Sequence, residues 1–486
     1  MPTGITYEQP VGLFINNEFV ASSDGAKLTT LNPATDEEIT SVYSATAADV
    51  DTAITTARIA FKSWRELSGT DRGIMLLKLS DIVAANSEIL GNIEAWDNGK
   101  PVSAAIAEDV TECINVLRYY GGWADKIHGE TIQPFREKLA FTIVEPLGVC
   151  GLIVPWNYPI MLSVWKIAPA LAAGNTVVLK SSELTPLSAL FFGTLVKEAG
   201  IPPGVINIIS GDGMVGAALS SSANINKVSF TGSVDVGKKI MKAASANLVP
   251  VTLELGGKSA AIVFPDADLD QAVKWCHIGI MSNMGQICTA TSRIYVHEAV
   301  QEQFVKLFIE HTQSTSKIGT QFDEDTFQGP QISQRQLDKI ASYVQSGVSE
   351  GATLAYGGST VDGAGYFMQP TVFTNVKDSM RISKEEIFGP VVIVDAFKDA
   401  DDAVTRANQS AYGLGAAVFS ENITLALDVA RRLESGMVWI NSSNDSDFRV
   451  PFGGYKQSGF GRELGEQVLS HYTQKKSVHV NLGTRL

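Results

Sequence analysis

Cysteine and basic residues are scarce in this chain. Its 486 residues include four cysteines, with no CxxC pair and no histidine at ligand spacing: Cys113, Cys150, Cys276 and Cys288. This distribution argues against a zinc site and a disulfide framework, and it suits a reducing compartment. Lysine and arginine together number 38 against 52 aspartates and glutamates, and the net charge is −14. Nucleic acid and anionic membranes are therefore disfavoured as partners.

Long apolar runs are also absent. No stretch is long enough to span a membrane, and the N-terminal residues lack the basic segment followed by an apolar one that marks a signal peptide. We therefore expect a cytoplasmic protein without a membrane partner. The C-terminal tripeptide Thr484-Arg485-Leu486 has a distant similarity to a peroxisomal targeting signal, which leaves the peroxisome as the weaker alternative.

The chain has the composition of a globular protein with two or three domains, since 45% of its residues are apolar and 19% are charged. Residues 47–126 show apolar positions at helical spacing. Five strands then alternate with helices; the strands are predicted at 149–155, 176–180, 205–210, 227–230 and 251–254, and the helices at 165–173, 185–199, 215–220 and 236–246. This alternation predicts βαβ units and a parallel sheet.

A second alternating region follows. Its predicted strands are 260–264, 292–296, 391–394, 416–419 and 436–440. The chain is therefore predicted to be α/β, with two Rossmann-like parallel-sheet domains. The tail 477–482 alternates like an edge strand, and because an unpaired edge invites a partner, we expect a homodimer or homotetramer.

Cys288 and Glu254 are the candidate catalytic pair. Cys288 lies between Gly285-Gln286-Ile287 and small hydroxylated residues, and Glu254 stands alone in an apolar, glycine-flanked segment. Taken separately, a cysteine is most often a buried apolar residue and such a glutamate is usually paired or at an edge. Together, a thiol nucleophile and a general base can form and then hydrolyse a thioester.

Two glycine-rich turns join strands to helices. Residues 211–216 satisfy GxGxxG, which alone is a weak signal, and Gly232-Ser233 lie in a second turn. Two such turns bring helix N-termini to one edge of the sheet, where a pyrophosphate could bind. Lys180 and Glu183 follow the second strand, where a carboxylate meets ribose hydroxyls. A glutamate there repels a 2′-phosphate and so favours NAD over NADP.

The motifs resemble those of the aldehyde dehydrogenase superfamily over nearly the whole chain. They are Pro155-Trp156-Asn157-Tyr158-Pro159, Phe230-Thr231-Gly232-Ser233, Glu254-Leu255-Gly256-Gly257-Lys258, Gly285-Gln286-Ile287-Cys288, Glu385-Glu386-Ile387-Phe388-Gly389-Pro390 and Pro451-Phe452-Gly453-Gly454. The chain looks most similar to the NAD-dependent, hydrolytic branch that includes cytosolic, retinal and betaine-aldehyde enzymes.

The resemblance implies a role for each matching residue. Cys288 is the nucleophile, Glu254 activates the deacylating water, and the Asn157 amide forms an oxyanion hole with the backbone N–H of Cys288. Lys166 and Glu463 resemble residues on a proton path behind Glu254. The cofactor site is predicted to comprise Pro155, Trp156, Lys180, Glu183, Gly213, Gly216, Phe230, Gly232, Ser233, Gly256, Glu386 and Phe388. The substrate pocket is predicted to comprise Tyr158, Trp165, Ser282, Ile287, Ser446 and Phe452.

We divide the chain accordingly. Residues 1–126 and 147–254 are assigned to an NAD-binding domain and 255–469 to a catalytic domain. Residues 127–146 and 470–486 are assigned to oligomerisation strands, which form a small third element.

Two positions depart from the family pattern. Ser282 and Ser446 stand where aromatic residues are usual. Neutral sequence variation in a surface loop is one explanation for the two serines. A wider and more polar substrate entrance is the other, and the sequence favours neither. A partial aromatic cage weakens an assignment to betaine aldehyde.

The expected reaction is oxidation of an aldehyde to a carboxylic acid with NAD and without a metal. A CoA-acylating semialdehyde dehydrogenase is one alternative, against which Glu254 argues. A catalytically inactive homologue is the other, against which the intact set of chemical residues argues.

Overall fold

Strands and helices alternate along most of the chain. The structure is a computed structural model, and it describes residues 3–486. The strands are β1 (Leu13–Ile15), β2 (Glu18–Val20), β3 (Lys27–Asn32), β4 (Glu37–Tyr43), β5 (Thr131–Phe135), β6 (Lys138–Pro146), β7 (Val149–Ile153), β8 (Thr176–Lys180), β9 (Ile206–Ile209), β10 (Lys227–Thr231), β11 (Val251–Glu254), β12 (Ala260–Val263), β13 (Arg293–His297), β14 (Thr353–Tyr356), β15 (Thr371–Thr374), β16 (Val391–Phe397), β17 (Tyr412–Gly413), β18 (Gly415–Phe419), β19 (Met437–Ile440), β20 (Tyr455–Lys456), β21 (Gly459–Phe460) and β22 (Thr473–Asn481).

Fifteen α-helices connect the strands of the described chain. They are α1 (Ala47–Trp64), α2 (Gly69–Ala85), α3 (Ser87–Asn98), α4 (Val102–Ala104), α5 (Thr111–Trp123), α6 (Pro159–Ala172), α7 (Leu187–Ala199), α8 (Gly213–Ser221), α9 (Val234–Ser245), α10 (Leu269–Met281), α11 (Gln301–Thr315), α12 (Gln334–Ser349), α13 (Arg381–Lys384), α14 (Ala400–Asn408) and α15 (Ile423–Arg432). None of them, within residues 3–486, has the length and hydropathy of a membrane span.

The first sheet has eight strands in the order β2-β1-β9-β8-β7-β10-β11-β21. Its five central strands are the five predicted ones, and they pair in parallel. The short edge strands β1, β2 and β21, which the sequence did not predict, pair antiparallel. These edge strands have two or three residues each, too few to show a periodic pattern.

The second sheet has seven strands in the order β14-β15-β16-β13-β12-β18-β19. The five predicted strands are present and parallel. Sequence reasoning missed β14 and β15. Strand β14 is mostly exposed, so its residues lack the apolar alternation of a half-buried strand.

Helix α6 begins earlier than predicted. It starts at Pro159 rather than at Trp165. Proline is common at the first helical position, because an N–H at that position makes no hydrogen bond within the helix and its absence costs nothing. The correction matters for the site, since residues 156–158 thereby lie just before a helix N-terminus. The largest apolar cluster packs α6 against α2, α5 and α7, and the Cys288 side chain contacts its edge.

A third sheet has three strands in the order β22-β6-β5. Strand β22 pairs antiparallel with β6 from Thr473 opposite Pro146 to Asn481 opposite Lys138. Strand β5 is exposed along its whole length. These strands fall within the segments assigned to oligomerisation, and subunit pairing through them stays a prediction. So does the division into domains, although β21 from the segment 255–469 joins the first sheet.

Candidate active site

One cavity of ≈ 1010 Å³ contains Cys288 and most of the other predicted site residues. The predicted residues that line it are Pro155, Trp156, Asn157, Tyr158, Trp165, Glu183, Gly232, Ser233, Gly256, Ser282, Ile287, Cys288, Glu386, Phe388, Ser446 and Phe452. It is at the upper end of the size range of small-molecule sites, so it can hold a substrate and a cofactor side by side.

Cys288 lies in the loop between α10 and β13, half-buried in the cavity wall. The three residues Asn283, Met284 and Gly285 precede it with φ values of 45°, 56° and 71°, all in the left-handed region. Burial raises the pKa of the Cys288 thiol to about 12, and the carboxylates of Glu386 and Glu254 contribute in the same direction. In this state the side chain is a neutral thiol at neutral pH.

Asn157 places its amide in the same cavity. Its Nδ2 donates a hydrogen bond of 2.9 Å to the carbonyl of Gln286, two residues before the thiol. The amide has a second N–H with which to meet a substrate oxygen. The backbone carbonyl of Asn157 accepts from Asn283 Nδ2 at 3.0 Å, which joins the loop that carries Asn157 to the loop that carries Cys288.

Glu254 is buried behind the cavity wall, at the end of β11, and does not line the cavity itself. Neither carboxylate oxygen has a hydrogen-bond partner among residues 3–486. Burial raises the pKa of Glu254 well above its usual value, and the nearby Glu463 carboxylate adds to the effect. A Cβ on Gly453 would lie 2.7 Å from Glu254 Oε1, so a glycine leaves room for this carboxylate.

Lys166 and Glu463 form a buried ion pair near Glu254. The distance from Lys166 Nζ to Glu463 Oε1 is 2.6 Å, and the side chains are 0% and 2% exposed. Ser229 Oγ also donates to Glu463 Oε1, at 3.1 Å. Neither member of the pair lines the cavity.

Two carboxylates mark the part of the cavity predicted to hold a dinucleotide. Glu183 accepts from Lys180 Nζ at 3.3 Å, and Lys180 lies outside the cavity wall. Glu386 is half-buried and accepts from the backbone N–H of Gly257 at 2.9 Å. A Cβ on Gly256 would lie 2.3 Å from Glu386 Oε2, so only glycine lets this carboxylate approach the loop.

Gly232 and Ser233 present the N-terminus of α9 to the same cavity, where backbone N–H groups can bind an anion. Trp156 and Phe388 meet edge to face at a centroid distance of 5.3 Å. The cavity volume, the helix N-terminus and the two separated carboxylates together fit a dinucleotide. Gly213, Gly216 and Phe230 are elsewhere: none lines the cavity, although a Cβ on Gly232 would lie 2.5 Å from the Phe230 ring.

The substrate end of the cavity is partly aromatic. The rings of Trp165 and Phe452 meet edge to face at 5.0 Å, and Tyr158 and Ile287 lie in the wall with them. Ser282 and Ser446 also line the wall, so their small side chains leave the space that a ring would fill.

Sequence reasoning missed several lining residues. Glu108 and Glu112 enter the cavity from a π-helix, Ala105–Val110, and from the first turn of α5. Burial raises the pKa of Glu112 to about 7, and Asp447 adds to the rise. Gln336 of α12 also lines the cavity and donates to the Phe388 carbonyl at 2.7 Å. The four-residue spacing of Glu108 and Glu112 is the only sequence signal that could have identified these two glutamates.

The described chain contains no group of three or more His, Cys, Asp or Glu side chains with the arrangement of a metal site.

Comparison with known proteins assigns the family. The model of the aldehyde dehydrogenase family matches residues 19–478. An aldehyde dehydrogenase of Aspergillus niger is 51% identical, with 100% of this chain and 98% of that protein covered. Human retinaldehyde dehydrogenase 3 is 50% identical, with 97% and 93% covered.

Solved structures agree with the fold. The NAD+ complex of aldehyde dehydrogenase from Bacillus cereus has a TM-score of 0.96 at 45% identity, covering 98% of this chain and 97% of that chain. Betaine aldehyde dehydrogenase from Staphylococcus aureus in complex with NAD+ has a TM-score of 0.96 at 40% identity, covering 99% and 96%. The chain belongs to the aldehyde dehydrogenase family. The family, fold and enzyme class predicted from the sequence are thereby confirmed.

Proposed function

We propose that this enzyme oxidises an aldehyde to the carboxylic acid with NAD, through a covalent intermediate on Cys288 that water activated by Glu254 hydrolyses. The observation that carries the proposal is the placement of the thiol: Cys288 and the Asn157 amide share one cavity wall, and an unpartnered carboxylate, Glu254, is buried behind it.

In the first step the Cys288 thiol loses its proton to solvent in the open cavity, and the thiolate adds to the aldehyde carbonyl. The S–C bond forms as the carbonyl π pair moves to oxygen, which gives a thiohemiacetal. The Asn157 amide and the Cys288 backbone N–H donate to the developing oxyanion, and such donors are typically worth about 100-fold to 1000-fold in rate. When bound, NAD supplies the acceptor for the hydride that leaves the former aldehyde carbon, so that a thioester remains on Cys288.

The second step is hydrolysis of the thioester. Glu254 takes a proton from a water whose oxygen adds to the acyl carbon, and the C–S bond then breaks to release the acid and the Cys288 thiolate. A buried carboxylate without a counter-ion is a stronger base than a free one, which suits this role. Lys166 and Glu463 would carry the proton away from Glu254 along the buried ion pair.

Cofactor binding is assigned to the cavity end with Glu183 and Glu386. Glu183, with Lys180 beside it, would hold the adenosine ribose, and Glu386 the nicotinamide ribose. Gly232 and Ser233 at the N-terminus of α9 would meet the pyrophosphate. The Bacillus cereus and Staphylococcus aureus relatives were both solved with NAD+, which supports this cofactor.

The substrate is proposed to be a larger or more polar aldehyde than acetaldehyde. Ser282 and Ser446 support this, because both small side chains line the cavity and take up less space than an aromatic ring would. A quaternary ammonium aldehyde is a weaker candidate, since Trp165, Phe452 and Tyr158 form only part of an aromatic cage.

The variant Glu254→Gln tests the mechanism. We expect it to release one NADH per active site in a rapid burst and then to turn over at least about 100-fold more slowly than wild type, because the thioester forms and waits. Stopped-flow absorbance of NADH measures both phases. Cys288→Ala is the control and should give no burst. Full steady-state turnover by Glu254→Gln excludes the general-base role, and turnover restored by coenzyme A supports the acylating alternative.

A further inference from the structure

The backbone that carries Asn157 is held from outside its own loop. Asn98, the last residue of α3, is fully buried and donates through Nδ2 to the carbonyl of Trp156 at 2.6 Å and to that of Asn157 at 3.4 Å. Its Oδ1 accepts from the backbone N–H of Lys100 at 3.3 Å. All polar atoms of this amide are thus used, and two of its contacts fall on the catalytic segment.

The turn after Asn98 directs a second side chain to the same segment. Gly99 ends α3 in the left-handed region at φ 89°, and a Cβ there would lie 2.9 Å from Pro330 Cγ. The turn therefore requires glycine. It sends Lys100 inward, where its Nζ lies 3.9 Å from the centre of the Tyr158 ring and forms an ion pair with the buried Asp109.

A third contact holds the start of α6. Glu94, one turn before Asn98 on α3, accepts from the backbone N–H of Ile160 at 3.2 Å. The C-terminal turn of α3 and Lys100 therefore contact one segment at four points: the carbonyls of Trp156 and Asn157, the ring of Tyr158 and the N–H of Ile160. The segment carries both the proposed oxyanion donor and one substrate-facing ring.

We propose that Asn98 is a positioning residue that aims the Asn157 amide at the oxygen of the acylation adduct, and that Lys100 is a positioning residue that fixes the Tyr158 ring in the substrate wall. The inference rests on the proposed function, because it gives Asn157 the oxyanion role. Asn98 acts on the rate of acylation, whereas Lys100 acts on the fit of the aldehyde.

The expected loss of rate in Asn98→Ala follows from the displacement of the Asn157 amide. An amide displaced by roughly 1 Å from a developing charge costs about 100-fold in rate. Without Asn98, one of the two ties on the Asn157 carbonyl, the bond from Asn283, remains. We therefore expect Asn98→Ala to slow the burst of NADH by about tenfold to 100-fold, with aldehyde KM changed by less than about threefold.

A double-mutant cycle separates positioning from mere stability. The burst rate is measured for wild type, Asn98→Ala, Asn157→Ala and the double variant. If Asn98 acts through Asn157, the double variant is no slower than Asn157→Ala alone. Effects that multiply, or an unchanged rate in Asn98→Ala, overturn the inference while leaving the mechanism intact. An unchanged rate in Asn157→Ala overturns both.

Asn207 provides the matched control. It is also fully buried, donates through Nδ2 to two backbone carbonyls, those of Gly204 and Val177, and accepts one backbone N–H. It lies on β9, outside the cavity wall. Asn207→Ala should lower the thermal unfolding temperature about as much as Asn98→Ala does, with a wild-type burst rate. An equally slow burst in both variants overturns the inference.

The proposed role of Lys100 can be tested even if Asn98→Ala does not fold. Lys100→Met keeps the aliphatic stem and removes the charge over the ring. Burial raises the pKa of Asp109 to about 8, so this carboxyl can take up a proton when its partner is lost. We expect Lys100→Met to raise KM for a bulky aldehyde by about fivefold or more, with a near wild-type burst rate at saturation. Lys100→Arg should restore the KM. In a Tyr158→Leu background, Lys100→Met should have no further effect on KM. A slower burst with unchanged KM contradicts this assignment.

Discussion

The reactivity of Cys288 depends on its surroundings more than on the thiol itself. Since burial, Glu386 and Glu254 raise its pKa to about 12, the thiolate fraction of the free enzyme should rise about tenfold per pH unit through the neutral range. We expect the rate of alkylation by iodoacetamide, without cofactor, to follow that slope from about pH 7 to about pH 9. Mass spectrometry of the labelled peptide measures it.

Cys288→Ala is the control for this labelling. The other three cysteines, Cys113, Cys150 and Cys276, are buried, so the folded control should stay unlabelled. A flat pH profile for wild type would contradict the high thiol pKa.

Glu183 is the residue that should choose between the two dinucleotides. Its carboxylate lies in the cavity wall with Lys180 Nζ at 3.3 Å. Glu183→Ser removes the repulsion of a 2′-phosphate and leaves Lys180 free to pair with it. We expect the ratio of kcat/KM for NAD to that for NADP to fall by about tenfold or more, since one like-charge contact is worth at least about 1.4 kcal/mol.

The burst rate at saturating NAD should stay near wild type in Glu183→Ser, because the substitution is expected to change cofactor affinity and not the reaction of the thiol. An unchanged cofactor ratio would remove Glu183 from the ribose site.

Which site residues the sequence could reveal depended on whether they lie in a glycine-rich or nucleophile-centred motif. Cys288 and Asn157 stand in such motifs, and the structure brings them to one wall. Asn98 gave no comparable signal, because its partners Trp156 and Asn157 are 58 and 59 residues away in sequence. The roles of Gly213 and Gly216 stay predictions, and their position outside the cavity wall gives them no support.

At the scale of elements, the loop before Cys288 is the most constrained. Three successive left-handed residues end at Gly285, where a Cβ would lie 2.2 Å from the backbone of Gly389. We expect Gly285→Ala to cost about 2 kcal/mol or more in the free energy of unfolding and to lower the burst amplitude. Chemical denaturation and active-site titration by the burst measure the two effects.

Gly213→Ala is the matched comparison for that loop. A Cβ at Gly213 meets nothing within 4 Å, and the residue begins α8. This variant should be neutral or more stable by about 0.4–1 kcal/mol, because alanine loses less backbone entropy on folding. Equal destabilisation of the two variants would refute the steric account of Gly285.

The central strands were predictable because both of their faces are buried. Strands β7 and β8 are buried along their whole length and are apolar except for Thr176 and Lys180 at the ends of β8. The predicted bounds of β8 and β11 match the structure. The start of α6 was missed because residues 159–164 are apolar except for Ser163, which hides helical periodicity. The edge strands were missed because pairing, not side-chain pattern, defines them.

At the scale of the whole molecule, the acidic balance extends into the cavity. Glu108, Glu112 and Asp445 line it, at the end that we propose for the substrate. The basic residues that line it in the described chain, Arg335 and Lys339, belong to α12, and the charge of Lys339 acts on Glu386 at the cofactor end. The Arg449 guanidinium donates two hydrogen bonds to Asp447, and Arg449 does not line the cavity. An anionic substrate therefore meets net repulsion at the entrance.

The excess of acidic side chains at this end of the cavity predicts discrimination against semialdehydes that carry a carboxylate. Succinic semialdehyde should have kcat/KM at least about tenfold below that of 4-methylpentanal, a neutral aldehyde of similar shape.

Because burial and Asp447 raise the pKa of Glu112 to about 7, its carboxyl loses a proton as the pH rises from about 6 to about 8. The gap between the kcat/KM values of the two aldehydes should widen over that range. Glu112→Gln should remove the pH dependence of the ratio, and about 0.5 M salt should narrow the gap in wild type by screening the charges. A ratio that is independent of pH in wild type, or a preference for succinic semialdehyde, would show that the carboxylates at the entrance do not select the substrate.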